Sequence, residues 1–238
     1  MNKAVKQEFS GRRKQLMRMM GEGGIAILPA SPVRSRNRDV EYPYRPDSDF
    51  YYLTGFSEPE AVAVLMPGRD HGEYLLFCRE RDPEMETWNG RRAGQEGAKA
   101  IYHADDSFPI TDIDDILPGL LEQCDKVYYT MGCDPGFDNR LLGWLKIIRQ
   151  HARSGARTPD EFVSLDHILH DMRLFKSKHE IKQMQKAMDV SIEAHKRAMQ
   201  LCRPGKMEYE IEAELHYEFH KAGCSFAYPS IVGGGENG

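Results

Sequence analysis

The stretch that decides the fold is Glu60-Ala61-Val62-Ala63-Val64-Leu65-Met66, then Pro67-Gly68-Arg69-Asp70-His71, then Gly72-Glu73-Tyr74-Leu75-Leu76-Phe77-Cys78. Two short apolar runs are bounded by charge or glycine, and the connector between them is rich in turn residues. That pattern predicts two strands joined as a hairpin. Working outward, Gly24 to Leu28 and Lys126 to Thr130 read as further strands. Helical spacing places Val5, Phe9, Leu16 and Met20 on an opening helix over residues 4–20, which Gly21, Gly23 and Gly24 stop. Ile113, Ile116, Leu117 and Leu120 predict a helix that Pro118 bends or ends. Asp138 to His151 is a helix with Leu141, Leu142, Leu145 and Ile148 on one face. A loop over 153–160 and a short helix over Leu165 to Met172 follow. Strands interleaved with helices predict an α/β domain.

The pattern then changes. Ser177-Lys178-His179-Glu180 fits a capping box that opens a long helix running to about Cys202, with Ile181, Met184, Met188 and Ile192 expected to face inward. Arg203-Pro204-Gly205 ends it, and Ile211, Leu215 and Phe219 mark a second helix closed by Gly223. So short a connection predicts an antiparallel pair. Ser230-Ile231-Val232 reads as an entering strand. Two amphipathic helices and one strand do not enclose a core, so this second domain is expected to be incomplete.

Composition narrows the function classes. The 238 residues are 40% hydrophobic and 29% charged, which excludes a disordered or low-complexity chain. Lys and Arg number 32 against 37 Asp and Glu, for a net charge of −5, so no nucleic-acid partner is expected; Arg34, Arg36 and Arg38 read as a solvated face. The longest apolar run, Ala61 to Pro67, is far below the roughly 20 residues of a membrane span, so no membrane partner is expected either. Charges in the first eight residues argue against a signal peptide, and a cytoplasmic location is expected. Cys78, Cys124, Cys133, Cys202 and Cys224 are odd in number and lack C-x-x-C spacing, so they read as reduced, mostly buried thiols.

Four groups of residues are candidates for chemistry. Gly233, Gly235 and Gly238 match G-x-G-x-x-G, but no helix follows, and a glycine turn between strands is the simpler reading. Glu212, His216 and His220 stand four apart on one helix face, a spacing that suits zinc; Tyr217 occupies the position where the zinc-peptidase pattern requires Glu. His167 and His170, flanked by Asp166 and Asp171, form a similar pair. Both sets also fit plain polar helix faces. Trp88-Asn89-Gly90-Arg91-Arg92-Ala93-Gly94-Gln95 reads as one loop, either gripping a carboxylate with its two guanidinium groups beside an aromatic wall, or tucking its Trp against its own domain. No G-x-S-x-G nucleophile signature is present.

The run Glu41-Tyr42-Pro43-Tyr44-Arg45-Pro46-Asp47-Ser48-Asp49-Phe50-Tyr51-Tyr52-Leu53-Thr54-Gly55-Phe56-Ser57-Glu58-Pro59-Glu60-Ala61 closely resembles the N-terminal domain signature of aminopeptidase P, the Xaa-Pro aminopeptidases. Met172-Arg173-Leu174-Phe175-Lys176-Ser177 with Glu180-Ile181 is similar to that family's hinge. Further matches are Arg203-Pro204-Gly205 with Glu208-Tyr209, Tyr228-Pro229-Ser230-Ile231-Val232 and Gly235-Glu236-Asn237, so the resemblance covers essentially the whole chain. It implies a creatinase/prolidase-like α/β domain over residues 1–173, a mixed sheet with flanking helices, and over 174–238 the first part of a truncated α+β pita-bread domain.

The resemblance further implies two divalent metal ions, commonly manganese, held by two Asp, one His and two Glu, hard ligands that suit such cations. Water bridging those ions attacks the carbonyl of the residue that precedes proline. All five ligands and the substrate-orienting His residues are expected beyond Gly238, so no metal ligand, catalytic residue or bound metal is expected in this chain, and it is expected to be inactive alone. The substrate-side residues carried over are Tyr228, which resembles a residue near the pocket for the first side chain, and Trp88, which matches a position that a neighbouring subunit extends toward the cleft in tetrameric members. Expected partners are proline-containing peptides and further copies of the chain, as a dimer or tetramer. A prolidase-type dipeptidase and a non-catalytic protein-binding relative of the same fold stay open as alternatives.

Overall fold

The computed structural model describes residues 3–122 and 124–238, which fall into two compact units, Met1–Leu174 and Phe175–Gly238. In the first unit, helix α1 (Lys3–Met20) is followed by strand β1 (Gly24–Pro29), the short pair β2 (Ser35–Asn37) and β3 (Val40–Glu41), and helix α2 (Ser48–Thr54). Strands β4 (Val62–Leu65) and β5 (Tyr74–Cys78) form the expected hairpin, in antiparallel register from Val62 opposite Phe77 to Leu65 opposite Tyr74. Helices α3 (Pro83–Asn89) and α4 (Gly94–Tyr102), strand β6 (Asp106–Pro109), helix α5 (Ile113–Leu121), strand β7 (Lys126–Tyr128), helix α6 (Pro135–Gln150), strand β8 (Glu161–Val163) and helix α7 (Asp166–Leu174) complete it.

The main sheet runs β6-β5-β4-β1-β7-β8. β1 pairs antiparallel with β4 and parallel with β7, so the sheet is mixed, as expected. Alternation along the strands divides the core. Ala26, Ala63, Leu65 and Leu76 point to the side covered by α1, α2 and α7, where Leu16, Phe50, Leu53 and Leu169 meet them. Ile25, Ile27, Val62, Val64 and Phe77 point to the side covered by α5 and α6, where Leu117, Leu121, Leu141 and Trp144 close the layer. Burying each Val, Leu, Ile or Phe side chain among them contributes about 1.5–3 kcal/mol, which makes this two-sided sandwich the dominant stabilising feature of the unit. Asp114 fastens α5 to α6: Arg140 holds it through a two-pronged contact at 3.2 and 2.9 Å, and the Trp144 indole N–H donates to it at 2.8 Å. The Arg140 guanidinium, then the Trp144 N–H, lower the Asp114 pKa.

Several expectations are corrected by the packing. Pro118 lies inside α5 and does not end it; burial of Ile113, Leu117, Leu120 and Leu121 on one face outweighs a penalty of about 3 kcal/mol for proline. α6 begins at Pro135, because Asp134 caps it by accepting from the Gly136 and Phe137 N–H groups at 3.0 and 3.2 Å. Leu142, expected on the buried face of α6, is exposed. The segment with Arg34, Arg36 and Arg38 carries the exposed β2–β3 pair, in keeping with a solvated face. Of the five thiols only Cys78 and Cys124 are buried.

In the second unit, α8 (Lys178–Leu201) opens with the expected capping box: Glu180 N–H donates to Ser177 Oγ at 3.1 Å and Ser177 N–H to the Glu180 carboxylate at 2.8 Å. α9 (Glu208–Lys221) packs against it, with Arg197 reaching Glu214 at 2.6 Å and Glu218 at 3.3 Å. Ile181, Met184, Met188 and Ile192 do not face inward; each is 50–56% exposed, and the buried position of α8 is Ala194. Residues 230–232 form no strand: Ile231 is 94% exposed, and no strand edge exists among the described residues of this unit to take its backbone hydrogen bonds.

Candidate functional site

A cleft lies at the carboxyl ends of parallel strands β1 and β7, a cavity of about 220 Å³. Its rim is acidic because helices begin there. Asp47 caps α2 by accepting from Asp49 and Phe50 N–H groups, both at 2.9 Å, and Asp134 caps α6. Asp49 and Asp166 also line it, and with His170 they offer ligand atoms all within 4.8 Å of one another. Each carboxylate already has a partner. Asp49 is ion-paired with Arg173, and Asp166 accepts from the Thr130 hydroxyl at 2.9 Å. A single cation would have to displace the Arg173 guanidinium, and three such groups do not make the five-ligand carboxylate-rich centre that two ions need. The described residues therefore do not fit a dinuclear metal site. His167 lies exposed outside this cluster, so the His167/His170 pair is not a ligand pair; the useful neighbour, Asp49, lies far away in sequence.

Trp88 stands on α3 rather than in a loop. Asp82 caps that helix, accepting from Glu84 and Met85 N–H groups at 3.1 Å, and Pro83 supplies its first turn with a preset φ. Gly90, at φ +83, breaks it and α4 starts at Gly94. No residue of α3 is buried, and Trp88 is 83% exposed rather than tucked against its domain. Arg91 points to solvent while Arg92 donates to the Glu80 carbonyl at 3.3 Å.

In the second unit Tyr228 is 73% exposed. His216 stacks on Phe226 at 4.7 Å between ring centres and its Nε2 lies 3.1 Å from Ser230 Oγ. The His220 ring turns to the His216 carbonyl at 2.8 Å, so Glu212, His216 and His220 form a polar helix face and no ligand set. The glycine segment is a short turn, Gly235–Asn237, whose Gly234 N–H and Asn237 side-chain amide donate to the Glu208 carboxylate at 2.7 and 3.1 Å. An anion-binding loop would turn such donors to a phosphate; here an internal carboxylate takes them.

The thiols separate by burial, and this gives a first expected outcome. Burial pushes the Cys78 and Cys124 pKa values up to about 11, leaving them protonated near neutrality. With an aromatic disulfide reagent at pH 8, the exposed Cys133 and Cys202 should react promptly and the buried pair at least about 100-fold more slowly. Since both folded pKa values are raised, their stabilising contribution is complete below about 9 and is lost as pH rises through about 11. Prompt titration of all five thiols in the folded chain would disprove the packing around β5 and α5.

Residues 9–129 match the family described as aminopeptidase P, N-terminal domain, and residues 182–238 match metallopeptidase family M24. The Xaa-Pro aminopeptidase of Escherichia coli is 40% identical over all of this chain and 54% of its own length; that of Haemophilus influenzae is 34% identical over all of this chain and 53% of its own. The chain thus spans about half the length of the curated relatives it matches. Among solved structures, the aminopeptidase PepP of Pseudomonas aeruginosa is 62% identical with a TM-score of 0.95, over 98% of this chain and 53% of that one. With the mixed sheet, the signature over residues 41–61 and these matches together, the chain belongs to the aminopeptidase P family.

Proposed function

We propose that this chain forms the N-terminal half of a metal-dependent Xaa-Pro aminopeptidase, which removes the first residue from peptides whose second residue is proline. The observation that carries this reading is the 40% identity to the Escherichia coli Xaa-Pro aminopeptidase along the full chain. The scissile bond is a tertiary amide without an N–H, so a wide, dedicated pocket for the ring suits it. Two manganese ions would supply the activated water when bound, and we assign their ligands to residues outside this chain. We place the domain boundary at residues 173 and 174; the division into compact units between Leu174 and Phe175 supports it.

Tyr228 and Trp88 are the residues we assign to the substrate side. Their support is exposure: both aromatic rings are presented to solvent where packing would ordinarily bury them. For Trp88 the cleft served is that of a second copy in a dimer or tetramer. Five cysteines standing as free thiols favour the cytoplasm. Among the described residues no helix is long and apolar enough to cross a membrane.

The test uses the complete protein with manganese, a Xaa-Pro dipeptide and a longer Xaa-Pro peptide. Turnover of the longer peptide, abolished by a chelator and restored by manganese, is the expected result. Turnover confined to the dipeptide would make the protein a prolidase-type enzyme. Less than about one bound divalent ion per chain, with no turnover, would make it a binding protein.

A further inference from the structure

Helix α3 buries none of its residues, so its own packing does not hold Trp88 in place. The structure shows instead how its base is fastened. Arg81 forks onto Glu86 through two contacts of 3.1 Å, from an exposed guanidinium to a carboxylate that is 9% exposed, and this pair ties α3 to the residue just before its own cap. Arg92 reaches the Glu80 carbonyl at a long 3.3 Å. The short, partly buried contact comes from elsewhere. Glu58 Oε1 accepts the Ala93 N–H at 2.7 Å, across 35 residues, with the Glu58 side chain only 17% exposed. Charge-assisted bonds of this kind are about twice as strong as neutral ones.

Ala93 is the N-cap of α4 and has no side chain able to accept a hydrogen bond. From the loop before β4, Glu58 instead takes the N-cap residue's own N–H, the part an N3 glutamate plays in a capping box, and places a negative charge near the start of that helix, where it is favoured. Arg79, whose Nη2 lies 3.7 Å from Glu58 Oε2, balances the charge from the end of β5. Behind Ala93, Gln95 donates to the Cys78 carbonyl at 3.0 Å. The segment over residues 83–93 therefore follows β5, exposes Trp88, and is clamped at its return by a carboxylate from the loop before β4.

We propose that Glu58 is the positioning residue for Trp88: by holding the Ala93 N–H it anchors the return of α3, a helix with no buried residue, so that the indole is presented in one orientation. This rests on the reading of Trp88 as a substrate-side residue, and the experiment separates the two. The chain is labelled with 5-fluorotryptophan, which reports on its two tryptophans, exposed Trp88 and buried Trp144, by fluorine NMR. Trp88→Phe assigns the resonances, and Trp144 serves as an internal measure of the core.

Glu58→Ala should narrow the Trp88 resonance roughly twofold, as the indole gains faster motion, and leave that of Trp144 in place. Ala93→Pro deletes the donor from the other side of the bond at a position whose φ of −66° already suits proline, and should do the same. Glu58→Gln keeps an acceptor and should retain the parent linewidth. If Glu58→Ala does not fold, Ala93→Pro decides. An unchanged Trp88 line in Ala93→Pro, or both indoles shifting together, overturns the inference. Separately, a Trp88→Ala form of the complete protein that keeps its kcat/KM removes the substrate-side reading and leaves the fluorine result to stand on its own.

Discussion

Replacing Gly55 by valine should destabilise the chain by about 2–5 kcal/mol, measured as a shift in the urea unfolding midpoint. Gly55 ends α2 at φ +66, where its N–H donates to the Tyr51 carbonyl at 2.8 Å. An L side chain in the left-handed region costs about 1–2 kcal/mol. The site is also closed: a Cβ there would lie 2.6 Å from Phe9 Cε2 and 2.9 Å from Cζ, and the Phe9 ring is buried with its edge against Tyr51. Moving that ring adds an overpacking cost of about 1–3 kcal/mol. Gly68 is the control, since it shares the positive φ, +77, but has nothing within 4 Å of its Cβ position. Equal losses in Gly55→Val and Gly68→Val would mean that α1 does not pack on α2 as described.

The second large effect is expected at Arg13, a cation only 4% exposed. Its Nη1 donates to the Leu53 carbonyl at 2.8 Å and its guanidinium lies 4.0 Å from the centre of the Tyr74 ring. Burial lowers its pKa, with Tyr74 and Asp105 opposing, so the charge is kept at a desolvation cost. Arg13→Ala removes the cation–π contact, worth about 2 kcal/mol when desolvated, and leaves a buried carbonyl unpaired at about 1–3 kcal/mol. The expected loss is about 2–5 kcal/mol. Arg13→Met fills the volume without burying a charge, so it should recover at least about 1 kcal/mol of that loss. Should Met prove as damaging as Ala, the hydrogen bond and the charge, not the filled volume, set the stability at this position.

Both sites belong to the segment from Asp47 to Phe56 and what touches it, which explains why that segment reads so clearly. Asp47 caps α2, Thr54 Oγ1 donates to the Phe50 carbonyl and accepts the Phe56 N–H, and Phe50 and Phe56 are fully buried. Nearly every residue type there answers a local requirement. Helices α3 and α4 are not legible in the sequence for the opposite reason. α3 buries nothing, so it carries no apolar period, and α4 is capped by a carboxylate 35 residues away rather than by its own first residues. Strand β8 leaves no signal in the sequence because Glu161–Val163 is mostly exposed and too short for an alternation to register. The stripe on α8 was legible as a helix face, but periodicity reports that a face is apolar, and 50–56% exposure of its four residues shows that it does not report what covers it.

By itself the sequence determined what depends on near neighbours: the β4–β5 hairpin with its turn-rich connector, the Ser177–Glu180 capping box, the glycine stop after α1, and membership of the family through the run over residues 41–61. Only the tertiary structure decided that Asp49 meets Arg173, that Asp166 and His170 join it, and that Glu58 reaches Ala93. The physical reason is the sheet order. Which distant side chains meet depends on β4 and β7 lying on either side of β1, a choice made by the packing of both faces together, whereas periodicity records only which face each residue prefers.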